Sequence, residues 1–228
     1  LPVIMTYHTH VLFYLKTWAK IWNLPFNLIA RLITILIIRW VSKRCQLIIA
    51  PSRFIKNVLM SYGVKSRIEV LPTGVKLPSL PPRLILSKTQ LGLPEEARIL
   101  LYIGRISKEK NLKMLFLAFE RVLKERKDVV LALVGDGPQR LELENMVRRK
   151  KVEGVKFKDR VFFLGAIPHE KVWSFLKVSD IFVFPSLSET QGLSVAEAMA
   201  AGLPVIVVGE GGAPEFIDNK ENGLVVSN

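Results

Sequence analysis

Short apolar runs punctuate the second half of the chain near 99–104, 129–134, 161–164, 181–184, 205–208 and 224–226, with helical stretches between most of them. Runs of this kind, bounded by Gly, Pro and polar residues, read as buried strands, and strands that alternate with helices imply a parallel, doubly wound sheet. After the first of them, Leu112, Leu115, Phe119 and Val122 have the spacing of one helical face. The front of the chain repeats the alternation on a smaller scale, with strands near Val3–Tyr7, Gln46–Ala50 and Ile68–Leu71 and a helix opened by Pro51-Ser52. Pro72-Thr73-Gly74-Val75, followed by Pro78, Pro81 and Pro82, marks a linker. The expected organisation is an α/β chain with one domain over residues 1–82 and a second over 83–228.

Polar chemistry gathers at the strand ends. Gly104-Arg105-Ile106-Ser107-Lys108-Glu109-Lys110-Asn111 follows the strand Ile99–Ile103 and brings cations there. Gly135-Asp136-Gly137-Pro138 follows Val129–Val134 as a tight turn, where missing side chains let a ligand approach the backbone. Gly209-Glu210-Gly211-Gly212-Ala213-Pro214-Glu215 follows Val205–Val208. Residues 189–202 place Glu189 and Glu197 around Gly192, after the strand Ile181–Phe184 and Pro185. Glu189 is expected in a loop and Glu197 on the first turn of an Ala/Met-rich helix, whose N-terminal N–H groups and dipole favour an anion. Ser194-x-x-Glu197 fits a capping box equally well, with Gly202 and Pro204 closing the helix, so spacing alone leaves capping and ligand binding open. Open parallel sheets bind ligands at the edge where such loops converge.

In this order the motifs resemble those of the retaining glycosyltransferases of the GT-B fold, in particular the group-1 family of lipid glucosyl- and mannosyltransferases. The family pattern is G-R-x-x-x-E-K-N, G-x-G-P, E-x7-E inside E-G-F-G-L-x-x-x-E-A-M-A-x-G-x-P-V, then G-G-x-x-E. It is met by Gly104-Arg105 with Glu109-Lys110-Asn111, Gly135-Asp136-Gly137-Pro138, Glu189 with Glu197, and Gly211-Gly212 with Glu215. The departure is Thr190-Gln191, where the family often has Gly-Phe. The resemblance runs from Pro2 to Asn228 and implies two Rossmann-like domains facing a cleft, the first incomplete.

Carried onto these positions, the resemblance implies that Arg105 and Lys110 neutralise a donor diphosphate beside the turn at Gly135. It assigns the diphosphate oxygens to N–H groups around Gly192, Leu193 and Ser194, the ribose to Glu197, hydroxyls of the transferred sugar to Glu189, and the base to the backbone near Ile167. Thr6-Tyr7-His8-Thr9 matches the family's strand-end histidine, which makes His8 a sugar or acceptor contact and leaves His10 and His169 as incidental. Tyr-His-Thr ahead of an aromatic, basic helix particularly resembles the diacylglycerol glucosyltransferases, which implies a lipid acceptor; the expected donor is a nucleoside-diphosphate sugar, with UDP-linked favoured over GDP-linked. Fixed cations and oriented amides can stabilise the leaving diphosphate without a metal. The chain has no Asp-x-Asp motif and no zinc-like spacing of its three His and one Cys, so neither a metal nor another cofactor is expected. A hydrolase using Glu189 and Glu197 as acid and nucleophile ranks below transfer, because the family's retaining reaction is usually described as front-face, without an enzyme nucleophile.

Charge adds a second theme. Of the net +13, residues 1–83 hold 12 Lys and Arg against Glu69 alone, a net of +11, while residues 84–228 hold 21 against 19. Leu12–Asn23 sets Lys16 and Lys20 beside Trp18 and Trp22, and after Pro25 the run Phe26–Trp40 is apolar apart from Asn27, Arg31, Thr34 and Arg39. Basic residues with interfacial tryptophans describe helices lying on an anionic membrane. The uncharged stretches Ile21–Ala30 and Leu32–Ile38 fall short of the ~20 residues needed to span one. The bland counterpart is a helix buried against the N-terminal sheet with Arg31 and Arg39 at its wet edges. Nucleic acid is not expected as a partner, since no stacking pattern accompanies the charge.

The lone Cys45 offers no disulfide framework, half of the residues are hydrophobic, and no signal peptide is visible, which suits an intracellular protein at the cytoplasmic face of a membrane. A chain that begins at Leu1 and stops at Asn228 is expected to be a fragment. The rival functions are a phosphatidylinositol mannosyltransferase, a soluble-glycan glycosyltransferase, a sugar-nucleotide epimerase and a non-catalytic binder of anionic membranes.

Overall fold

The computed structural model describes residues 2–9, 11, 24–76, 85–152, 154–218 and 220–228. Lys16, Trp18, Lys20 and Trp22, the helix expected over Leu12–Asn23, His10, and the linker prolines Pro78, Pro81 and Pro82 lie outside these residues. Contacts divide the chain into two units. The first is Leu1–Gly74 with Ser188–Gly192 and Glu210–Glu215; the second is Val75–Leu187, Leu193–Gly209 and Phe216–Asn228.

In the first unit, β1 (Ile4–Thr6), β2 (Leu47–Ala50) and β3 (Arg67–Val70) form a parallel sheet in chain order. Between them run the helices α1 (Leu24–Ser42) and α2 (Arg53–Ser61). Ser52 caps α2 as Pro51-Ser52 predicts, its hydroxyl accepting the Ile55 N–H at 3.2 Å. Ile55 and Leu59 of α2 are buried in one cluster with Ile48, Ala50 and Ile68 of the sheet. Pro25 falls in the first turn of α1, where its missing N–H would have had no helical partner. Among the side chains described on α1 only Ile38 and Ser42 are buried, while Leu28, Ile29, Leu32, Ile33, Leu36, Ile37 and Trp40 are each half exposed or more. No helix among the described residues is long and apolar enough to cross a membrane.

The second unit is built on six parallel strands: β4 (Arg98–Ile103), β5 (Val129–Val134), β8 (Val161–Gly165), β9 (Ile181–Phe184), β10 (Val205–Val208) and β11 (Gly223–Val226). Their order across the sheet is β11-β10-β9-β4-β5-β8. The chain steps outward from β4 to β5 and β8, then returns to the other side of β4 for β9, so the β4/β9 junction is the topological switch point. Helices α3 (Leu112–Glu125), α4 (Arg140–Arg149), α5 (His169–Val178) and α6 (Leu193–Ala200) connect the strands. All six strands lie where the apolar runs predict them. A small antiparallel hairpin, β6 (Lys151–Val152) with β7 (Val155–Lys156), is an addition the sequence did not announce.

The buried stripe of α3 is Leu112, Leu115, Phe116, Phe119 and Leu123, and Val122, expected on that face, is 37% exposed. Phe116 and Phe119 draw the stripe toward Phe157, with ring centroids 6.1 and 5.7 Å away. Helix α6 ends in a Schellman turn: Gly202, at φ +85°, donates to Met199 O and Leu203 to Ala198 O.

Candidate functional site

Because every strand of the six-stranded sheet is parallel, the loops after β4, β5 and β8 leave from one edge. They are laced together there. Gly104 N donates to Val134 O at 3.0 Å, Ile106 N to Asp136 O at 2.9 Å, Gln139 N to Ile106 O at 3.1 Å and Gly135 N to Gly165 O at 2.8 Å. A Cβ on Gly135 would stand 1.9 Å from Gly104 O, and one on Gly137 would stand 2.3 Å from Ile106 O. The glycines of this turn are therefore required by the neighbouring loop before any ligand arrives.

Arg105 projects from this lacework as an exposed side chain, while its carbonyl accepts a 2.9 Å hydrogen bond from the buried Tyr102 hydroxyl. Tyr102 stacks on Phe184 of β9, and the half-buried Lys110 ammonium lies 5.9 Å from the Phe184 ring centroid. Between them sits Glu109, a buried carboxylate to which the sequence reading gave no role. It accepts the Ser107 hydroxyl at 2.6 Å, and its carbonyl receives the Leu187 N–H from the loop after β9. The loop carrying both cations is thus pinned on each side of the switch point. Arg140, at the start of α4, is hydrogen-bonded to Glu144 and to Asp136 of the glycine turn, and these bonds raise its pKa. Ile167 is half-buried in the loop after β8.

Helix α6 begins at Leu193, so Ser194 already lies within it and Glu197 is its fifth residue, one turn later than the motif suggests. That start removes the capping box, which needs Ser194 outside the helix. The Glu197 carboxylate turns to another element: its Oε1 lies 3.0 Å from Nε2 of His169, the first residue of α5. The N–H groups of Leu193 and Ser194 belong to the first turn, where no intrahelical acceptor is available. An apolar hollow of about 480 Å³ lies elsewhere in the unit, between α3 and the strands from β4 to β11. Apart from Arg98, Arg126 and Asp180, its lining is mostly apolar, with Met114, Phe119, Val122 and Ile206 among it, and suits hydrocarbon rather than a charged nucleotide.

In the first unit, His8 is exposed just beyond β1 and follows the buried Tyr7, whose amide donates to Ile49 O at 2.9 Å. Burial pushes the Tyr7 phenol up. Glu189 stands in a loop, as expected, and its carbonyl receives Gly212 N at 2.8 Å. Gly211 and Gly212 press close against that loop, since a Cβ on them would meet Glu189 O at 2.7 Å and Thr190 O at 2.2 Å. Ser52 also donates to Thr190 O. Gln191 is 4% exposed and clasps Thr73 twice, accepting the Thr73 N–H at 3.0 Å and donating to its carbonyl at 2.9 Å. The departure Thr190-Gln191 thus has a structural use. Gly192 follows at φ +91°. Glu215, last of the G-G-x-x-E motif, caps α2 by accepting the N–H groups of Arg53 and Phe54 at 2.8 and 2.6 Å.

Arg31 and Arg39 are exposed on α1, and Arg44 lies over the exposed Trp40 ring, 3.4 Å from its centroid. Among the described residues no three His, Cys, Asp or Glu side chains gather as a metal site would require.

A family model described as "Glycosyl transferases group 1" matches residues 86–228, and one described as "Glycosyltransferase Family 4" matches residues 1–77. The chain is 32% identical over 231 residues to an alpha-monoglucosyldiacylglycerol synthase of Streptococcus pneumoniae, covering 99% of this chain and 50% of that protein. It is 27% identical to the Acholeplasma laidlawii protein of the same name, over 80% of this chain and 46% of that one. With the sulfoquinovosyl transferase SQD2 of Arabidopsis thaliana the identity is 29%, covering 97% and 41% respectively. Among solved structures, the sucrose-phosphate synthase of Thermosynechococcus elongatus superposes with a TM-score of 0.76 at 26% identity, over 98% of this chain and 54% of that one. Anabaena HepE in complex with UDP-glucose gives 0.75 at 22%, over 99% and 58%. The chain spans about half the length of the curated relatives it matches.

Proposed function

Since the chain belongs to the group 1 glycosyl transferases and shares the α/β fold of the GT-B enzymes, we propose that it forms part of a retaining, metal-independent hexosyltransferase. The reaction moves a hexose from a UDP-linked donor to a membrane lipid such as diacylglycerol. The observation that carries this reading is the edge at the β4/β9 switch point, where Arg105 and Lys110 stand on a loop pinned by Glu109.

Breaking the bond from sugar to diphosphate leaves charge on the phosphate oxygens. Arg105 and Lys110 neutralise it, and the amides around Gly192, Leu193 and Ser194 donate to it, each charge-assisted hydrogen bond contributing roughly 1.5–3 kcal/mol. Glu197 accepts from the ribose hydroxyls, the backbone near Ile167 meets the base, Glu189 orients the transferred sugar, and His8 contacts the sugar or the acceptor. The lipid acceptor draws support from the relatives named as monoglucosyldiacylglycerol synthases and from α1, whose exposed apolar side chains stand beside Arg31 and Arg39. The enzyme then works as a peripheral protein on the cytoplasmic leaflet. Each basic side chain near an anionic leaflet adds about 1 kcal/mol.

Calorimetric titration with UDP, GDP, UDP-glucose and GDP-mannose in EDTA tests the donor site. Wild-type protein is expected to bind the uridine pair, and Arg105→Ala to weaken that binding by about tenfold or more. A folded sample that binds none of the four overturns the donor reading and moves the non-catalytic membrane binder, which α1 favours, ahead of it.

A further inference from the structure

Glu197, the carboxylate read as the ribose ligand, has a companion that the sequence reading set aside. Among the described residues, His169 is the one hydrogen-bond partner of that carboxylate, with Nε2 3.0 Å from Oε1. The two side chains differ in setting: the histidine is 79% exposed and the glutamate only 22%. An ion pair or hydrogen bond with one partner so open contributes little to folding. What it does fix is direction. A carboxylate on a helix samples several rotamers, and a partner on another helix selects one of them.

We propose that His169 is a positioning residue of the donor site, holding Oε1 of Glu197 so that the rest of the carboxylate faces the vicinal hydroxyls of the nucleotide ribose. The inference rests on the donor reading above. Lone-pair counting supports it, because an ionised carboxylate offers about four acceptor sites and the imidazole N–H uses one, leaving enough for two hydroxyl donors. So does the local backbone. Pro168 precedes His169 at φ −58°, where the ring of a proline limits the approach, and His169 opens the ten-residue helix α5. The imidazole is therefore presented from a rigid element, as groups that orient a ligand-binding side chain need to be.

A double-mutant cycle on the whole chain tests this, with UDP and 2′,3′-dideoxy-UDP as probes and calorimetry as the readout. His169→Ala is expected to weaken UDP binding about 5–10-fold, the scale of one oriented hydrogen bond, and His169→Gln, which keeps an N–H donor, to restore it to within about twofold. In a Glu197→Ala background, His169→Ala should change little. Affinity for the dideoxy nucleotide should not respond to His169 at all. Unchanged or tighter UDP binding by His169→Ala overturns the inference while leaving the donor site intact, and so does an equal loss in the Glu197→Ala background. Failure of wild-type protein to bind UDP removes the donor reading and this inference with it.

Discussion

Gly135 illustrates how much of a motif can be explained by the chain itself. Its φ of +133° and the 1.9 Å approach of a built Cβ to Gly104 O leave no space for a side chain, and the obstacle is backbone. Gly135→Ala is expected to cost about 3 kcal/mol or more, overpacking and backbone strain together. Gly154 provides the control, since it has φ +78° but nothing within 4 Å of its Cβ. Gly154→Ala should cost only the left-handed conformation, about 1–2 kcal/mol. Thermal denaturation of both variants, followed by circular dichroism, separates the two effects, and equal midpoints would show that the loop yields easily. Gln191 presents the opposite case. Its place in the motif was legible as an oddity, but its clasp on Thr73, 118 positions away in sequence, was not.

Among the elements, α2 depends on a residue far from it in sequence. Ser52 satisfies one first-turn donor and Glu215 two more, across 162 and 161 positions. Glu215→Ala should therefore destabilise α2 by about 1–2 kcal/mol, while Glu215→Gln, which keeps an oxygen acceptor, should lose less. Hydrogen exchange of the α2 amides is the measurement, and unchanged protection in Glu215→Ala would show that packing of Ile55 and Leu59 suffices. Most strands of the two parallel sheets were readable as continuous apolar runs, β5 with every residue buried above all, whereas β3 alternates Arg67, Ile68, Glu69 and Val70 with only Ile68 buried. The β6–β7 hairpin was not, because two residues a side carry no period. The shift of the α3 stripe from Val122 to Phe116 and Leu123 came from aromatic packing that no single-helix pattern contains. At the candidate site the cation loop was legible from Gly104-Arg105, whereas the pairing of His169 with Glu197 depends on how α5 meets α6.

At the scale of the whole molecule, charge and exposed hydrocarbon coincide in the first third of the chain. Among the side chains described on α1, seven large apolar ones are half exposed or more, and residues 1–83 carry nearly all of the net charge. The protein is expected to sediment with vesicles containing phosphatidylglycerol and much less with phosphatidylcholine alone. Binding should weaken in 1 M salt, where the Debye length is about 3 Å. Leu32→Ser with Leu36→Ser should reduce partitioning by about tenfold through lost apolar burial. Binding indifferent to these serines would show that α1 is not the surface involved. A different consequence attaches to the loops 188–192 and 210–215, which group with the first 74 residues. A gene divided at the linker would give a front product without Glu215 at the head of α2 or Gln191 against Thr73, and a rear product with two loops stripped of their supports. Fission of this gene, natural or engineered, would succeed only where the two products find each other again.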